Sequence, residues 1–550
     1  MKTLAPLLAL TLVACADPLP TADLVLSNAV IWTGDDTSPR ATTLVVRGDR
    51  IAAIGGQEIL AGFDLQSAEV IDAAGRFVTP GFIDTHVHFL SASRGLSAVQ
   101  LRDAATREEF VQRIAQHAAT LPAGSWILEG NWDHHQWGGE LPMAEWIDAV
   151  TPDHPVYVSR LDGHMSLANS AAMRAAGISS QTKDVEGGVI SRDSAGHPTG
   201  IFKDNAEQLI RAKIPPPSPE ENDRALLAGM HHVAAQGVTS VHNMDLAQPE
   251  IFDTFRRIRD RQITRFYLAI DLADWQALAE IVAAQGRGDE WLRIGVLKTM
   301  VDGSLGSHTA AFHQPYTDTP EDSGLFALSL DELYEQALAA DEAGLQLAIH
   351  AIGDRAIGEL LDVFERVAEA NGPRDRRFRM EHAQHPTFAD IERFADLGVI
   401  ASMQPYHAID DGRWAEKVIG PERIESTYAF RALLDANARL AFGSDWSVAP
   451  PTPLEGIYAA VTRRTLDGAN DDAGWVPAQR ISVEEALRAY TLDAAYAAFE
   501  DDLEGSLEVG KLADFVMLEQ NLLEIDPVAI KDVRILATYV GGARVFSAEE

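Results

Sequence analysis

At 550 residues, with 46% hydrophobic and 23% charged side chains, the chain has a globular composition and is long enough for a large buried core. A formal net charge of −37 opposes nucleic-acid binding, which rewards basic patches, and favours solubility. No internal run approaches the roughly 20 apolar residues needed to span a bilayer.

The first stretch, "MKTLAPLLALTLVAC", places Lys2 before a short apolar core and small residues before Cys15, the single cysteine of the chain. It reads as a secretory signal, not a spanning helix. "LVAC" resembles the lipobox at which bacterial lipoproteins are cleaved and lipidated. The expectation is a signal over residues 1–14 and a mature chain that begins at a lipid-bearing Cys15. Ala16 favours the periplasmic face of the outer membrane in a bacterial cell envelope. No cysteine remains for a disulfide, so stability must come from burial or a bound metal.

Short Val- and Ile-rich runs follow, in "ADLVLSNAVIW", "TTLVVRGDRIAAIGG" and "EVIDAAGRFVTPGFID", and the C-terminus returns to the same style in "ADFVMLEQ" and "ILATYVGGARVF". These ends predict one small β-sandwich from residues 22–80 and 505–550. Between them, at 81–504, strand and helix alternate. Strands are predicted over 82–88, 238–244, 264–270, 294–303, 345–351, 378–383, 399–405 and 438–445. Helical runs such as "DELYEQALAADEAG" and "RAIGELLDVFERVAEANG" separate them, each ending in a Gly stop signal. Eight βα units imply a parallel barrel of the α/β class with its functional residues at the strand C-termini. The gap after the first strand is too long for a βα loop, so an inserted subdomain is predicted at about 91–235. It holds helical "REEFVQRIAQHAATL" and strand-like "HPVYVSRL", and Ser218, Pro219 and Glu221 at its end are laid out as a helix N-cap box.

His86 and His88 stand two apart on the first predicted strand, so both point to one face and can share a metal ion. Other strand ends repeat the theme, with His350 in "LAIHAIGDRA", His382 in "RMEHAQH" and Asp445 in "AFGSDW". Imidazoles and a carboxylate form a sensible ligand set for Zn²⁺. Lys298, inside an apolar strand, needs an acid such as Asp302, a depressed pKa, or carboxylation by CO₂ to an anionic carbamate. His164 and Asp302 are candidates to face a substrate, with Lys203, His242, His385, Gln404 and His407 behind them. The paired histidines of "DHHQW" and "MHHV" read as a loop of the insertion and part of a helix.

Taken together, the pattern HxH, Lys, His, His, Asp resembles the amidohydrolase superfamily. The segments "PGFIDTHVHF", "DGHMSLANS", "GIFKDNAE", "GVTSVHNMD", "KTMVDGSLGSHTAAF", "IHAIGDRAI", "MEHAQH", "QPYHA", "GSDWSV" and "GSLEVGKLADFVML" resemble its YtcJ-like branch, which includes N-substituted formamide deformylases. His308 in "SLGSHTA" stands where relatives often carry Arg. The resemblance implies a distorted (β/α)₈ TIM barrel with the small sandwich. It implies one metal held by His86, His88 and Asp445, and a second held or bridged by Lys298, His350 and His382. Cofactors are then one or two Zn²⁺ ions, the second depending on carboxylation of Lys298.

The expected reaction is hydrolysis of a non-peptide C–N bond (amide, N-acyl or N-formyl) in a small molecule by metal-activated water, with Asp445 as general base. An esterase or lactonase on the same centre is one alternative, and a non-catalytic metal- or solute-binding lipoprotein is another. Oligomeric state is left open, a homodimer included. Cys15→Ser is expected to move the protein from the membrane to the soluble fraction of lysed cells; a variant that stays with the membrane would exclude the lipid anchor.

Overall fold

The Val- and Leu-rich runs in the middle of the chain form one continuous eight-stranded sheet, all neighbours parallel, in the spatial order of their sequence. This is a computed structural model, and it describes residues 19–185, 187–246, 248–466 and 473–548. The signal expected over 1–14 and Cys15 lie outside the described residues. The barrel strands are Phe82–Val87, Val238–Asn243, Arg265–Asp271, Leu292–Met300, Gln346–Ala351, Arg379–His382, Ile400–Met403 and Leu440–Phe442. Most are buried along their whole length, which is why they read as near-continuous apolar runs and not as alternating ones.

The eighth strand meets the first through the backbone just past its end. Asp445 N–H donates to His86 O at 2.7 Å and His88 N–H to Trp446 O at 2.5 Å. The result is a nearly closed, distorted (β/α)₈ barrel. Helices cover its outside. Asp354–Asn371 buries Ile357, Leu360, Leu361, Phe364 and Val367, an i, i+3, i+4 stripe, and stops at Gly372, whose φ is 76°. The helix Pro219–Ala234 begins with the expected capping box of Ser218 and Glu221.

A six-stranded sheet joins the two ends of the chain: Phe515–Leu518 pairs antiparallel with Phe77–Pro80. It packs on a four-stranded sheet of Leu24–Ser27, Thr43–Arg47, Arg50–Gly55 and Glu69–Asp72 around Leu26, Ile31, Leu44, Val78, Phe515 and Tyr539. Between the first and second barrel strands lies a separate five-stranded sheet, Ile127–Trp132, Val156–Arg160, Met165–Ala168, Gly188–Arg192 and Pro198–Asp204, with cores of its own. Among the described residues no helix is long and apolar enough to cross a membrane.

One buried ion pair ties the terminal sheet to the barrel. Arg265, at the start of the third barrel strand, donates Nε to Asp514 Oδ2 at 2.6 Å and Nη2 to Asp514 Oδ1 at 3.0 Å. Both side chains are almost fully buried. Asp514→Ala strands the guanidinium without its partner and is expected to lower stability by about 3–5 kcal/mol. A urea-unfolding midpoint equal to wild type would show that the pair contributes nothing.

Candidate metal centre

His86 and His88 leave the first strand on one face, as their spacing requires. His86 Nδ1 donates to Glu381 Oε2 at 2.6 Å, and His88 Nδ1 to Asp245 Oδ1 at 3.1 Å. The Glu381 carboxylate fixes the tautomer that leaves His86 Nε2 free as a ligand, whereas Asp245 and Asp445, against burial, raise the His88 pKa to about 9, so its Nε2 becomes a ligand on loss of that proton. The two Nε2 atoms lie 3.6 Å and 3.2 Å from Asp445 Oδ1. Glu381 is held in turn by Arg379, whose Nε donates to Oε1 at 2.8 Å. The same guanidinium reaches His242 Nδ1 at 2.9 Å, Thr85 O at 2.6 Å and Ser402 Oγ at 3.1 Å, crossing the barrel interior.

Asp445 sits on the seam. Its φ is 61°, in the left-handed region, and His382 shares that conformation at 73°. Such backbone persists in non-glycine residues only where the surroundings over-determine it. Gly443 makes the approach feasible, because a Cβ there would lie 2.6 Å from His86 N. Asp84 grips the next residue, accepting from Ser444 N at 2.8 Å and Ser444 Oγ at 2.5 Å.

Burial would raise the Asp445 pKa, but His86, His88 and His382 hold it well below the usual carboxylate range. Glu381 is likewise held down, by Arg379 and His86 against its burial. His86 is pushed down to about 4 by burial and Lys298, so it is a neutral ligand. Burial pushes the Asp84 carboxyl up to about 7.

His350 and His382 converge on the same place. The His382 ring lies 4.4 Å from His350 and 4.8 Å from His86, centroid to centroid. His350 Nε2 donates to Gly303 O at 3.0 Å, which leaves its Nδ1. Lys298 is buried, with Nζ 3.4 Å from His86 Nε2 and its pKa lowered by burial. Among the described residues no carboxylate lies within ion-pair distance of Nζ, so the pairing with Asp302 is not formed.

The expectation that Asp302 faces a substrate is corrected. It is fully buried, and its carboxylate accepts from Ala311 N at 2.8 Å, Ile352 N at 3.0 Å and Gly353 N at 2.9 Å. It locks the loops after the fourth and fifth strands together. His164 lies in the insertion, its Nδ1 donating to Asp204 Oδ1 at 3.0 Å. Its neighbours Arg160 and Asp162 come within 3.6 Å and 3.7 Å of the Cβ position of Gly306, in the loop after the fourth strand. This places the insertion against the barrel loops.

Asp133, His134 and His135 of "DHHQW" bring ligand-type atoms within 4.8 Å of one another, but Arg160 already donates Nε to His134 Nδ1 at 3.3 Å and lies 3.7 Å from Asp133. His242 is bonded to Arg379, and His385 Nδ1 stands 3.0 Å from Thr427 Oγ1. His407 stands in the site, its Nε2 3.8 Å from Asp445 Oδ2. Sequence reasoning missed Glu381, Asp245 and Arg379 as supporting groups. The available signal was charge inside otherwise apolar strands, in "FRMEHA" and "SVHNMD".

The donor set fits a divalent metal ion. His86, His88 and Asp445 offer ligand atoms within 4.8 Å of one another, and so do His382, His407 and Asp445. His382 Nδ1 and His407 Nε2 are buried with no hydrogen-bond partner, a cost that a cation relieves. Imidazole and carboxylate are donors that zinc accepts.

A parallel barrel with this donor set at its strand ends defines a metal-dependent hydrolase. A sequence model of the amidohydrolase family matches residues 69–546, and the chain belongs to that family. It is 40% identical to Protein LONG AFTER FAR-RED 3 of Arabidopsis thaliana over 540 residues, 96% of this chain and 92% of that one. It is 29% identical to the N-substituted formamide deformylase of Arthrobacter pascens, covering 94% and 97% of the two chains. The crystal structure of an uncharacterized metal-dependent hydrolase from Pyrococcus horikoshii OT3 superposes with a TM-score of 0.75 at 28% identity, covering 92% of this chain and 99% of that one.

Glu381→Gln removes the charge that orients His86. Zinc affinity, measured by competition with a chelator, is expected to fall about 10–100-fold; an unchanged affinity would leave Glu381 a purely structural partner of Arg379.

Proposed function

We propose that the protein hydrolyses a non-peptide C–N bond of amide, N-acyl or N-formyl type in a small-molecule substrate. The observation that carries this reading is the convergence of His86 Nε2 and His88 Nε2 on an anionic Asp445. In this reading His86, His88 and Asp445 hold a zinc ion. The bound ion supplies Lewis acidity toward the substrate carbonyl and a nucleophile at neutral pH. Asp445 does the proton work: its carboxylate takes a proton from the attacking water and delivers it to the leaving nitrogen. Glu381 and Asp245 keep the two imidazoles in the ligating tautomer and at fixed angles, so little reorganises during turnover. The likeness to an N-substituted formamide deformylase supports an amide over an ester. A lipid anchor at Cys15 would set this chemistry on the periplasmic face of the outer membrane, with small amides as its substrates.

Metal analysis of the purified protein, followed by a panel of matched N-formyl amides, N-acyl amides and esters, tests the reading. Zinc and preferential amide turnover are expected. Asp445→Asn is expected to cut kcat by about 10²–10⁴-fold, the usual contribution of a positioned acid–base group, while zinc remains on His86 and His88. Ester-only turnover would give the site to an esterase, and wild-type kcat in the variant would remove Asp445 from the proton transfers.

A further inference from the structure

We infer that His407 and Gln404, just past the seventh barrel strand, hold the scissile amide of the substrate, with His407 Nε2–H donating to its carbonyl oxygen and Gln404 Oε1 accepting from its N–H. The inference rests on the C–N hydrolysis proposed above and deepens it by naming what that amide touches.

The residues that the resemblance assigns to two metal positions leave both of these over. Lys298 Nζ lies 3.4 Å from His86 Nε2, and the rings of His350 and His382 face each other at 4.4 Å. His407 stands beside this group. Its Nε2 lies 3.8 Å from Asp445 Oδ2, whereas Asp445 Oδ1 faces His86 and His88 at 3.6 Å and 3.2 Å. Oδ2 is therefore the oxygen turned away from the first histidine pair and toward a substrate. An amide that exchanges a proton with Oδ2 lies within reach of His407. A proton on Nε2 is favoured over a lone pair facing that carboxylate, so the imidazole is a donor there.

Gln404 supplies the complementary group. Its backbone is extended, with φ −118° and ψ 96°, so the alternation of the seventh strand continues through it. Ser402, two residues earlier, points into the barrel, with its hydroxyl 3.3 Å from Thr85 Oγ1 and 3.1 Å from Arg379 Nη2. Gln404 shares that face, one step nearer the strand ends. Its Nε2 donates to Ser402 O at 3.4 Å, which fixes the orientation of the side-chain amide and leaves Oε1 as an acceptor. Gln404 Oε1 and His407 Nε2 are both buried with no hydrogen-bond partner, a condition that protein interiors seldom leave unused. One donor and one acceptor match the carbonyl and the N–H of a secondary amide. An ester offers no N–H, and the acceptor would be left unpaired against it.

The pair is held in place by the helix that follows. Pro405–Asp411 has Pro405 at its first position, and His407 N–H donates to Gln404 O at 3.1 Å. The far end is pinned by Arg102 on Asp410 at 3.0 Å and by Tyr428 on Asp411 at 2.7 Å.

The test uses the zinc-loaded full chain and three matched substrates: a secondary N-formyl or N-acyl amide, its N-methyl derivative and its ester. His407→Ala is expected to lower kcat on the secondary amide by about 10²–10³-fold, as loss of one donor to a developing oxyanion does, at the wild-type zinc content by mass spectrometry. His407→Gln keeps an N–H donor and is expected to recover part of the loss. Gln404→Met is expected to lower the ratio of kcat/KM for the secondary amide to that for the other two substrates by about 10–100-fold, the effect of leaving one buried group unpaired. A purely structural role would lower all three together. Gln404→Leu repeats the ratio should circular dichroism show the methionine variant misfolded. His382, His407 and Asp445 bring ligand-type atoms within 4.8 Å of one another, so loss of a zinc ion in His407→Ala overturns the inference in favour of a metal ligand. Wild-type kcat in that variant, or an unchanged substrate ratio in Gln404→Met, overturns it as well. A wild-type protein that turns over neither amide overturns the C–N reading itself.

Discussion

The centre depends on the seam where the eighth barrel strand meets the first. Asp84 is buried on the first strand and accepts both the backbone N–H and the hydroxyl of Ser444. Losing that carboxylate would orphan two buried donors, at about 1–3 kcal/mol each. Gly443 lets the chain pass within 2.6 Å, measured from its Cβ position, of His86 N. Asp445 then turns into the left-handed region and gives its N–H to His86 O. Backbone bonds thus bring Asp445 opposite His86 and His88, and the aspartate has few other places to be. The candidate metal ligands on either side of the seam are positioned by the closure of the barrel.

The charges inside the barrel follow from what each acid has for a partner. Glu381 has Arg379, and that pair also joins strands one, two, six and seven through Thr85, His242 and Ser402. Asp302 has three backbone N–H groups. Asp445 differs. Among the described residues only histidines stand within ion-pair distance of it: burial keeps His86 and His382 from taking up a proton readily, while Asp245 and Asp445, against burial, push His88 up to about 9. Its charged partner is therefore the His88 imidazolium, and a divalent cation held by His86, His88 and Asp445 would displace that proton and take over the balancing charge.

Much of this was legible in the sequence, for physical reasons. Parallel barrel strands are buried on both faces, so "FIDTHVH" and "LQLAIHA" stand out as apolar runs, and a histidine among them is conspicuous. The five-stranded sheet of the insertion was far less visible. Ile127–Trp132 contains Gly130 and Asn131, and Gly188–Arg192 is only partly buried, so neither shows the expected pattern. Asp302 was misjudged because a motif position says that a carboxylate is near a site, not that backbone N–H groups already occupy it. His407 was visible only as one of several polar residues past a strand. Its place beside Asp445 Oδ2 is one that no sequence spacing encodes.

The strand ends carry the candidate metal ligands, and buried bonds hold them. The insertion leans on the loops above. Arg102 bonds the Val448 carbonyl and Asp410, and Asn131 donates to Ser447 O at 3.3 Å, just beyond Asp445. Arg160 and Asp162 approach Gly306, and Trp414 lies 3.7 Å from the same Cβ position. Residues that touch the loops after strands four, seven and eight are therefore supplied by a segment with its own sheet and cores, which can change without disturbing the seam. The candidate ligands are held by the barrel, and the loops above them are braced by the part of the fold that is freest to vary.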